Sequence, residues 1–284
     1  MLAPNSAEVK TDISIAKGAL APVRAYASAV VDFSAFLKTG EEAGNTVSYA
    51  DFVKVIEAAG GWADFVALEG TVGAARSDTD LFTAGDQRLL DWVNSLGNFS
   101  AELEAQARHI QATWKGPGPG RNNLRQRDDV IGIIVGLKGR LEAGSSDILK
   151  SSVELLNSYL SAIGSERDSL SQDDARLTRL INKIQQRLPG SSVSHMFVDY
   201  SVLSQLNKLR EAIRGLKTDN EQAEMALANL LGKMLNLTTE YDATAADLKK
   251  AGDEELGGVL QRMDLDVAID SWKEMTAYAA QSLG

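Results

Sequence analysis

The feature that most constrains this chain is a series of apolar residues after Pro189 that recurs in alternating steps of four and three. Its members are Val202, Leu206, Leu209, Ile213, Leu216, Asn220, Ala223, Leu227, Leu230, Met234, Leu237, Tyr241 and, after a last step of seven, Leu248. A 3.5-residue repeat held this long is typical of a supercoiled helix with a narrow apolar seam. Asn220 is its one polar member. The pattern predicts one helix over residues 198–250, roughly 80 Å long at 1.5 Å per residue.

Similar periodicity predicts further helices in the rest of the chain. They cover about residues 6–37, a segment from 48 that Gly60-Gly61 splits, and residues 86–114, 123–164, 169–188 and 253–283. Residues 70–85, rich in Gly, Ser, Thr and Asp, are predicted to form a loop. Only five prolines occur, and no Asn-Gly or Asp-Gly pair signals a tight hairpin.

Short connections between long helices make neighbouring helices antiparallel. The predicted fold class is therefore all-α: an elongated antiparallel bundle of long coiled-coil helices. We expect one domain over residues 1–284, with a small head element within 115–140 or 189–203.

Composition and motifs argue against enzymatic chemistry. The chain has no cysteine, which excludes disulfides, thiolate zinc sites, iron–sulfur clusters and cysteine catalysis. Its two histidines, His109 and His195, lack the Glu-x-x-His spacing of di-iron bundles. The prolines of GPGPG at 116–120 remove the backbone N–H groups that a phosphate loop needs. We predict no catalytic, metal-binding or cofactor-binding residue, and no small-molecule substrate.

Net charge and hydropathy exclude further classes of protein function and location. The net charge of -10 disfavours a nucleic-acid partner, because binding the phosphate backbone needs a broad cationic face. The N-terminus lacks the basic start and apolar stretch of a secretory signal peptide. No run of about 18 apolar residues predicts a transmembrane helix. A soluble protein is expected.

One short run stands out as a candidate for membrane interaction. The apolar segment, residues 130–137, reads VIGIIVGL and consists of Val130, Ile131, Gly132, Ile133, Ile134, Val135, Gly136 and Leu137. Gly132 and Gly136 have the G-x-x-x-G spacing that lets helices approach closely in lipid. A buried helical turn packed on all sides explains the same residues, so both interpretations stay open.

Two neighbouring features are further candidates. The basic turn contains Lys115, Arg121, Arg125 and Arg127 with no acid among residues 115–127, beside Trp114. Such a cluster attracts anionic lipid head groups, although a solvated turn accounts for it equally. The apolar tip, Met196, Phe197, Val198 and Tyr200, is the alternative membrane-contacting element.

Taken together, these features resemble the α-helical pore-forming toxins of the cytolysin A, haemolysin BL and xenorhabdolysin type. The resemblance lies in long coiled-coil helices, the lack of cysteine and signal peptide, a small apolar element in mid-chain, and a last helix ending DVAIDSWKEMTAYAAQSL at 266–283. It implies a soluble form that rearranges, exposes a hydrophobic head and assembles into a membrane ring. It also implies secretion without a classical signal peptide. The expected partners are target-cell membrane lipids and a second helical toxin subunit, further copies of the chain, or both.

A different class of function fits the same helices. A coiled-coil scaffold or secretion-apparatus adaptor would use its seams to bind partner helices. Such a protein would be cytoplasmic and would have no membrane activity.

Overall fold

The computed structural model describes residues 2–39, 48–113, 123–190, 193–216, 220–251 and 253–283. All regular structure in these ranges is helical, which confirms the all-α class and the helical bundle. The helices are α1 Ser6–Thr39, α2 Tyr49–Ala58, α3 Trp62–Thr113, α4 Asn123–Leu141, α5 Asp147–Ser165, α6 Arg167–Arg187, α7 Val193–Leu216, α8 Asn220–Lys250, α9 Asp253–Met263 and α10 Leu265–Leu283. A π-helical turn, Glu142–Ser146, joins α4 to α5, and a short 3₁₀ turn, Leu188–Gly190, follows α6.

The seam after Pro189 is buried as predicted. Val202, Leu206, Leu209, Ile213 and Leu216 are buried in α7, and Ala223, Leu227, Leu230, Met234, Leu237, Tyr241 and Leu248 are buried in α8. The structure gives two helices where the periodicity predicts one. The predicted continuity between them falls on residues 217–219, outside the described ranges.

The predicted loop at residues 70–85 is wrong, because these residues lie inside α3. Val72, Ala75, Thr79 and Phe82 are buried at helical spacing and continue the seam that begins at Phe65. Burial of this seam outweighs the modest helix propensity of the polar and glycine residues between its members.

The predicted helix over 253–283 is broken at one position. Asp264 has φ of 43° and separates α9 from α10. Its backbone N–H donates to Gln261 O, while its own carbonyl accepts from Ala268 N–H at 2.9 Å and starts α10. Aspartate tolerates this left-handed backbone better than most residues, but nothing in the periodicity marks it.

Packing divides the chain into two compact units. The first unit comprises Met1–Lys17, Gly85–Glu154 and Glu224–Gly284, and the second comprises Gly18–Ala84 and Leu155–Ala223. The expectation of a single domain stays a prediction.

Aromatic side chains organise the core of the first unit. The Phe99 ring lies 4.5 Å from that of Trp272 and 6.0 Å from that of Tyr241, measured between centroids. Leu2 is fully buried, and its carbonyl accepts hydrogen bonds from Trp272 Nε1 at 3.0 Å and from the Tyr241 hydroxyl at 3.4 Å. These bonds fix the residues before α1 against α8 and α10.

In the second unit the core is built around phenylalanines. Phe52 of α2 contacts Phe33 and Phe36 of α1 and Phe65 of α3. Ser48 caps α2, because the Asp51 backbone N–H donates to its hydroxyl at 3.2 Å. Gly60, with φ of 65°, lies in the connection between α2 and α3, where the Gly60-Gly61 pair predicts a break.

Candidate membrane-contacting segments and the grooves beside them

The apolar segment lies in α4, and the first unit buries one of its faces. Val130, Ile131, Ile134 and Leu137 are buried, and Ile134 is completely inaccessible. Val135 points the other way and is 46% exposed. In this structure the segment therefore acts mainly as part of the core, with one large apolar side chain at the surface.

The glycines of α4 face a groove instead of a packed helix. Gly132, Gly136 and Gly139 are exposed, and a Cβ added to any of them would meet nothing within 4 Å. Together with α3 side chains they line the α3–α4 groove, which comprises adjoining cavities of about 580 Å³ and 510 Å³. The close helix contact that G-x-x-x-G spacing favours is thus absent within the described residues.

Ion pairs connect α4 to α3 across this groove and to α8 elsewhere. Arg140 Nη1 lies 3.2 Å from Glu102 Oε2 of α3, and Lys138 Nζ lies 3.0 Å from Asp242 Oδ2 of α8. The hydrogen bond with Asp242 raises the pKa of Lys138. Exposed ion pairs of this kind are screened by water and stabilise a fold only weakly, so they position α4 more than they stabilise it.

Only part of the basic turn falls on described residues. Trp114, Lys115 and Arg121 lie outside them. Arg125 is exposed, whereas Arg127 is largely covered and its Nη1 donates to the carbonyl of Ala251 at 3.4 Å. Arg127 thus connects the start of α4 to the residues that precede α9.

The apolar tip has the opposite exposure pattern to the apolar segment. Phe197 and Tyr200, one helical turn apart at the start of α7, are each 59% exposed. Met196 and Val198 are half-buried, and Asp199 between them is fully buried. We call Phe197 and Tyr200 the aromatic pair.

A second exposed apolar pair escaped the sequence analysis. Trp62 and Val66 of α3 are 43% and 46% exposed, although the steps of three from Trp62 to Phe65 and Leu68 favour one buried face for all three residues. The i, i+4 spacing of Trp62 and Val66 indicates that they share one helix face. The sequence does not show that this face is exposed, because Phe65 and Leu68 of the same turns are apolar too and form the buried face.

A group of carboxylates surrounds the turn between α5 and α6 in the second unit. Glu166 separates the two helices and, with Tyr26 and Asp173, lines a cavity of about 200 Å³. Burial, followed by the charges of Asp78 and Asp173, raises the pKa of Glu166. Burial likewise raises the pKa of Tyr26 and of Tyr159, which both lie near the charges of Asp78 and Glu166.

No constellation for metal or acid–base chemistry is found in the described part of the chain. His109 lines the α3–α4 groove, and no group of three His, Asp or Glu side chains there is placed to hold a metal ion. The side chain of His195 lies outside the described residues. In the ranges described, no helix combines the length and hydropathy needed to cross a bilayer.

Comparison with solved structures identifies the class of fold. The chain has the fold of a soluble component of an α-pore-forming toxin, which confirms at the level of fold the resemblance seen in the sequence. It is similar to soluble SmhB of the tripartite α-pore-forming toxin Smh from Serratia marcescens. The TM-score is 0.57 at 11% identity, over 98% of this chain and 91% of that chain.

A second solved structure also aligns over most of the chain. Soluble AhlB of the tripartite α-pore-forming toxin AHL from Aeromonas hydrophila matches with a TM-score of 0.45 at 13% identity, over 96% of this chain and 93% of that chain. No protein-family model and no curated protein sequence matches the chain.

Proposed function

We propose that this chain is a component of an α-helical pore-forming toxin that binds a target membrane and assembles there. The observation that carries the proposal is the fold it shares with SmhB over nearly the whole of both chains. SmhB belongs to a tripartite toxin, which supports a role for this chain beside at least one other helical subunit. The protein then acts by binding and rearrangement, with no catalytic step and no cofactor.

The aromatic pair is the element proposed to meet the membrane first. A tyrosine ring favours the bilayer interface, where its apolar body leaves water and its hydroxyl stays hydrated, and a neighbouring phenylalanine ring adds apolar area. Phe197 and Tyr200 are 59% exposed on consecutive turns. Moving most of each ring out of water contributes about 2 kcal/mol per side chain, which suffices for reversible attachment when several copies assemble.

The apolar segment is proposed to act at a later step. Its four buried side chains, Val130, Ile131, Ile134 and Leu137, each contribute about 1.5–3 kcal/mol through burial. Their sum is comparable to the whole stability of a typical domain, about 5–15 kcal/mol. Exposure of this face in water alone is therefore unfavourable. Contact with lipid or with a partner has to supply the difference between the two states.

The glycines of α4 support such a second state. Each of Gly132, Gly136 and Gly139 destabilises a helix by roughly 0.5–1 kcal/mol relative to alanine. No close contact in the described structure requires them to lack a side chain. In lipid, the same spacing lets two helices pack backbone to backbone. We assign this face of α4 to helix contacts in the assembled form.

The location and partners of the protein follow from this proposal. It is secreted, is soluble before it reaches the target, and then associates with the membrane. Its partners are membrane lipids, a second helical subunit and further copies of itself.

Vesicle binding tests the proposal with a matched pair of variants. Purified protein is incubated with dye-filled liposomes of neutral and of anionic lipid, alone and together with any long-helix protein encoded beside it. Phe197→Ser/Tyr200→Ser removes the aromatic pair. Met225→Ser, which removes a 60% exposed side chain from α8, is the control.

We expect the double variant to lose about tenfold or more in vesicle affinity, the equivalent of 1.4 kcal/mol, and the control to match the wild type. Equal binding by all three proteins would overturn the role of the aromatic pair. Absence of both binding and dye release with every lipid and partner would overturn the toxin proposal and favour the coiled-coil scaffold.

A further inference from the structure

A second groove lies in the second unit, between α1 and α7. It has a volume of about 470 Å³ and is lined from α1 mainly by Pro22, Ala25, Ala29 and Asp32. This α1–α7 groove is separate in sequence from the apolar segment and from the apolar tip.

The two helices that form the groove run antiparallel in a defined register. Pro22 lies opposite Gly215, since a Cβ added to Gly215 would stand 3.6 Å from the Pro22 Cβ. From this point the register brings Ala25 level with Ala212, and Asp32 level with Gln205. The lining residues therefore span about 16 Å along the helix axes, the length of three helical turns.

The floor of the groove contains a buried polar group without a partner. Gln205 is only 6% exposed, lines the groove, and has no hydrogen-bond acceptor for its amide Nε2 among the described residues. Buried polar groups are nearly always hydrogen-bonded. A ligand that carries an acceptor would satisfy this donor.

The rim of the groove carries two carboxylates and one ammonium group, that of Lys208, which is exposed and lies between the two carboxylates along the groove. Asp32 and Glu211 are exposed at its edges, and neither is paired within the part of the chain that the structure describes. Six residues of helix, about 9 Å, separate the levels of these two carboxylates along the axis. The walls between them carry small side chains, including Ala25, Ala29 and Ala212, which allow a third helix to approach closely.

We propose that the α1–α7 groove is the docking site for a basic helix of a different protein. Helices commonly bind by laying one face into a groove between two others. The occupant presents small residues to the walls, an acceptor to Gln205, and two cationic side chains about seven residues apart to Asp32 and Glu211. The two carboxylates of the rim outnumber its one ammonium group, which favours a cationic helix over a second copy of this chain, whose net charge is -10. The inference does not depend on membrane activity.

A designed peptide probes the site directly. The probe is a capped 18-residue helix of alanine and leucine with two lysines seven positions apart and an asparagine beside the first. A second peptide has glutamate in place of both lysines. Fluorescence anisotropy of each labelled peptide measures its binding to the full-length protein.

Two substitutions of exposed alanines separate groove binding from surface binding. Ala25→Trp fills the groove, whereas Ala175→Trp adds the same ring to an exposed position of α6 outside it. We expect the lysine peptide to bind about tenfold or more tightly than the glutamate peptide. Ala25→Trp should weaken that binding by a similar factor, and Ala175→Trp should leave it unchanged.

Two further variants test the polar contacts. Asp32→Asn/Glu211→Gln should remove the preference for lysine, and Gln205→Leu should weaken binding severalfold while the thermal unfolding temperature is retained. Equal affinity for the two peptides, equal binding by the Ala25 and Ala175 variants, or no binding at all would overturn the proposal. If the protein self-associates and Ala25→Trp abolishes that self-association, the occupant of the groove is a second copy of this chain and not a basic helix of another protein.

Discussion

The apolar segment of α4 and the apolar tip of α7 carry similar side chains, but the fold buries the first and leaves the second in water. The four buried residues of the apolar segment face the core of the first unit, with Ile134 inaccessible to solvent. In the apolar tip the polar residue is buried and the aromatic residues are exposed: Asp199 is inaccessible to solvent, whereas Phe197 and Tyr200 are in contact with it. The comparison indicates two different tasks. An exposed aromatic pair is available for contact at once, whereas a buried segment becomes available only after a rearrangement.

The largest effect in this comparison is expected at Ile134. Ile134→Ala should lower the free energy of unfolding by about 2–5 kcal/mol, because it leaves a cavity in a fully packed site. The neighbouring Val135→Ala removes a side chain that is 46% exposed and should cost under about 1 kcal/mol. Urea unfolding of the two variants measures the difference. Equal losses would show that α4 is not held against the core as described.

An intermediate effect is expected at the glycines. Gly132→Ala/Gly136→Ala should raise the free energy of unfolding by roughly 0.5–1 kcal/mol per site, because both positions have open space for a Cβ. If this face forms close contacts in the assembled state, the same variant should release dye from vesicles less efficiently.

The matched control for this prediction is Gly73→Ala, which also lies in a helix with nothing near its Cβ. It should stabilise the protein similarly and leave dye release unchanged. Undiminished release by the α4 variant would remove the glycines from the assembly mechanism.

The smallest effect is expected at Glu166, in the unit that carries the aromatic pair. Its raised pKa means that the folded form disfavours the ionised carboxylate. Stability should therefore fall as the pH rises from near the ordinary value of 4.5 through the raised pKa. Glu166→Gln should raise the thermal unfolding temperature at pH 7 and have little effect at pH 4. If Glu166→Gln stabilises the protein equally at pH 7 and pH 4, the effect does not come from the ionisation of the Glu166 carboxyl group.

Much of the fold follows from local patterns in the sequence. The apolar members of the seam from Val202 to Leu248 are buried at the predicted positions, Ser48 caps α2, and the Gly60-Gly61 pair follows that helix. In each case the signal and the structure lie within a few residues of each other. The loop predicted at 70–85 failed because the buried seam of α3 overrides weak propensities.

The candidate site depends on how helices distant in sequence pack against one another, and local sequence patterns do not specify that packing. Periodicity identified the apolar segment and the apolar tip but could not decide which would be buried, because that depends on the helices packed against them. The α1–α7 groove arises from the register between Pro22 and Gly215, about 190 residues apart, a separation at which no local helix signal operates. The backbone break at Asp264 likewise has no signature in the spacing of apolar residues.

Site-specific fluorescence tests the difference between the two regions most directly. The chain has no cysteine, so Tyr200→Cys, Val135→Cys and the control Met225→Cys each create a single site for an environment-sensitive dye. On mixing with vesicles, the account predicts an immediate blue shift at position 200, a later shift at position 135 that accompanies dye release, and no change at position 225. Simultaneous shifts at all three positions, or a shift at position 135 that precedes the one at position 200, would contradict it.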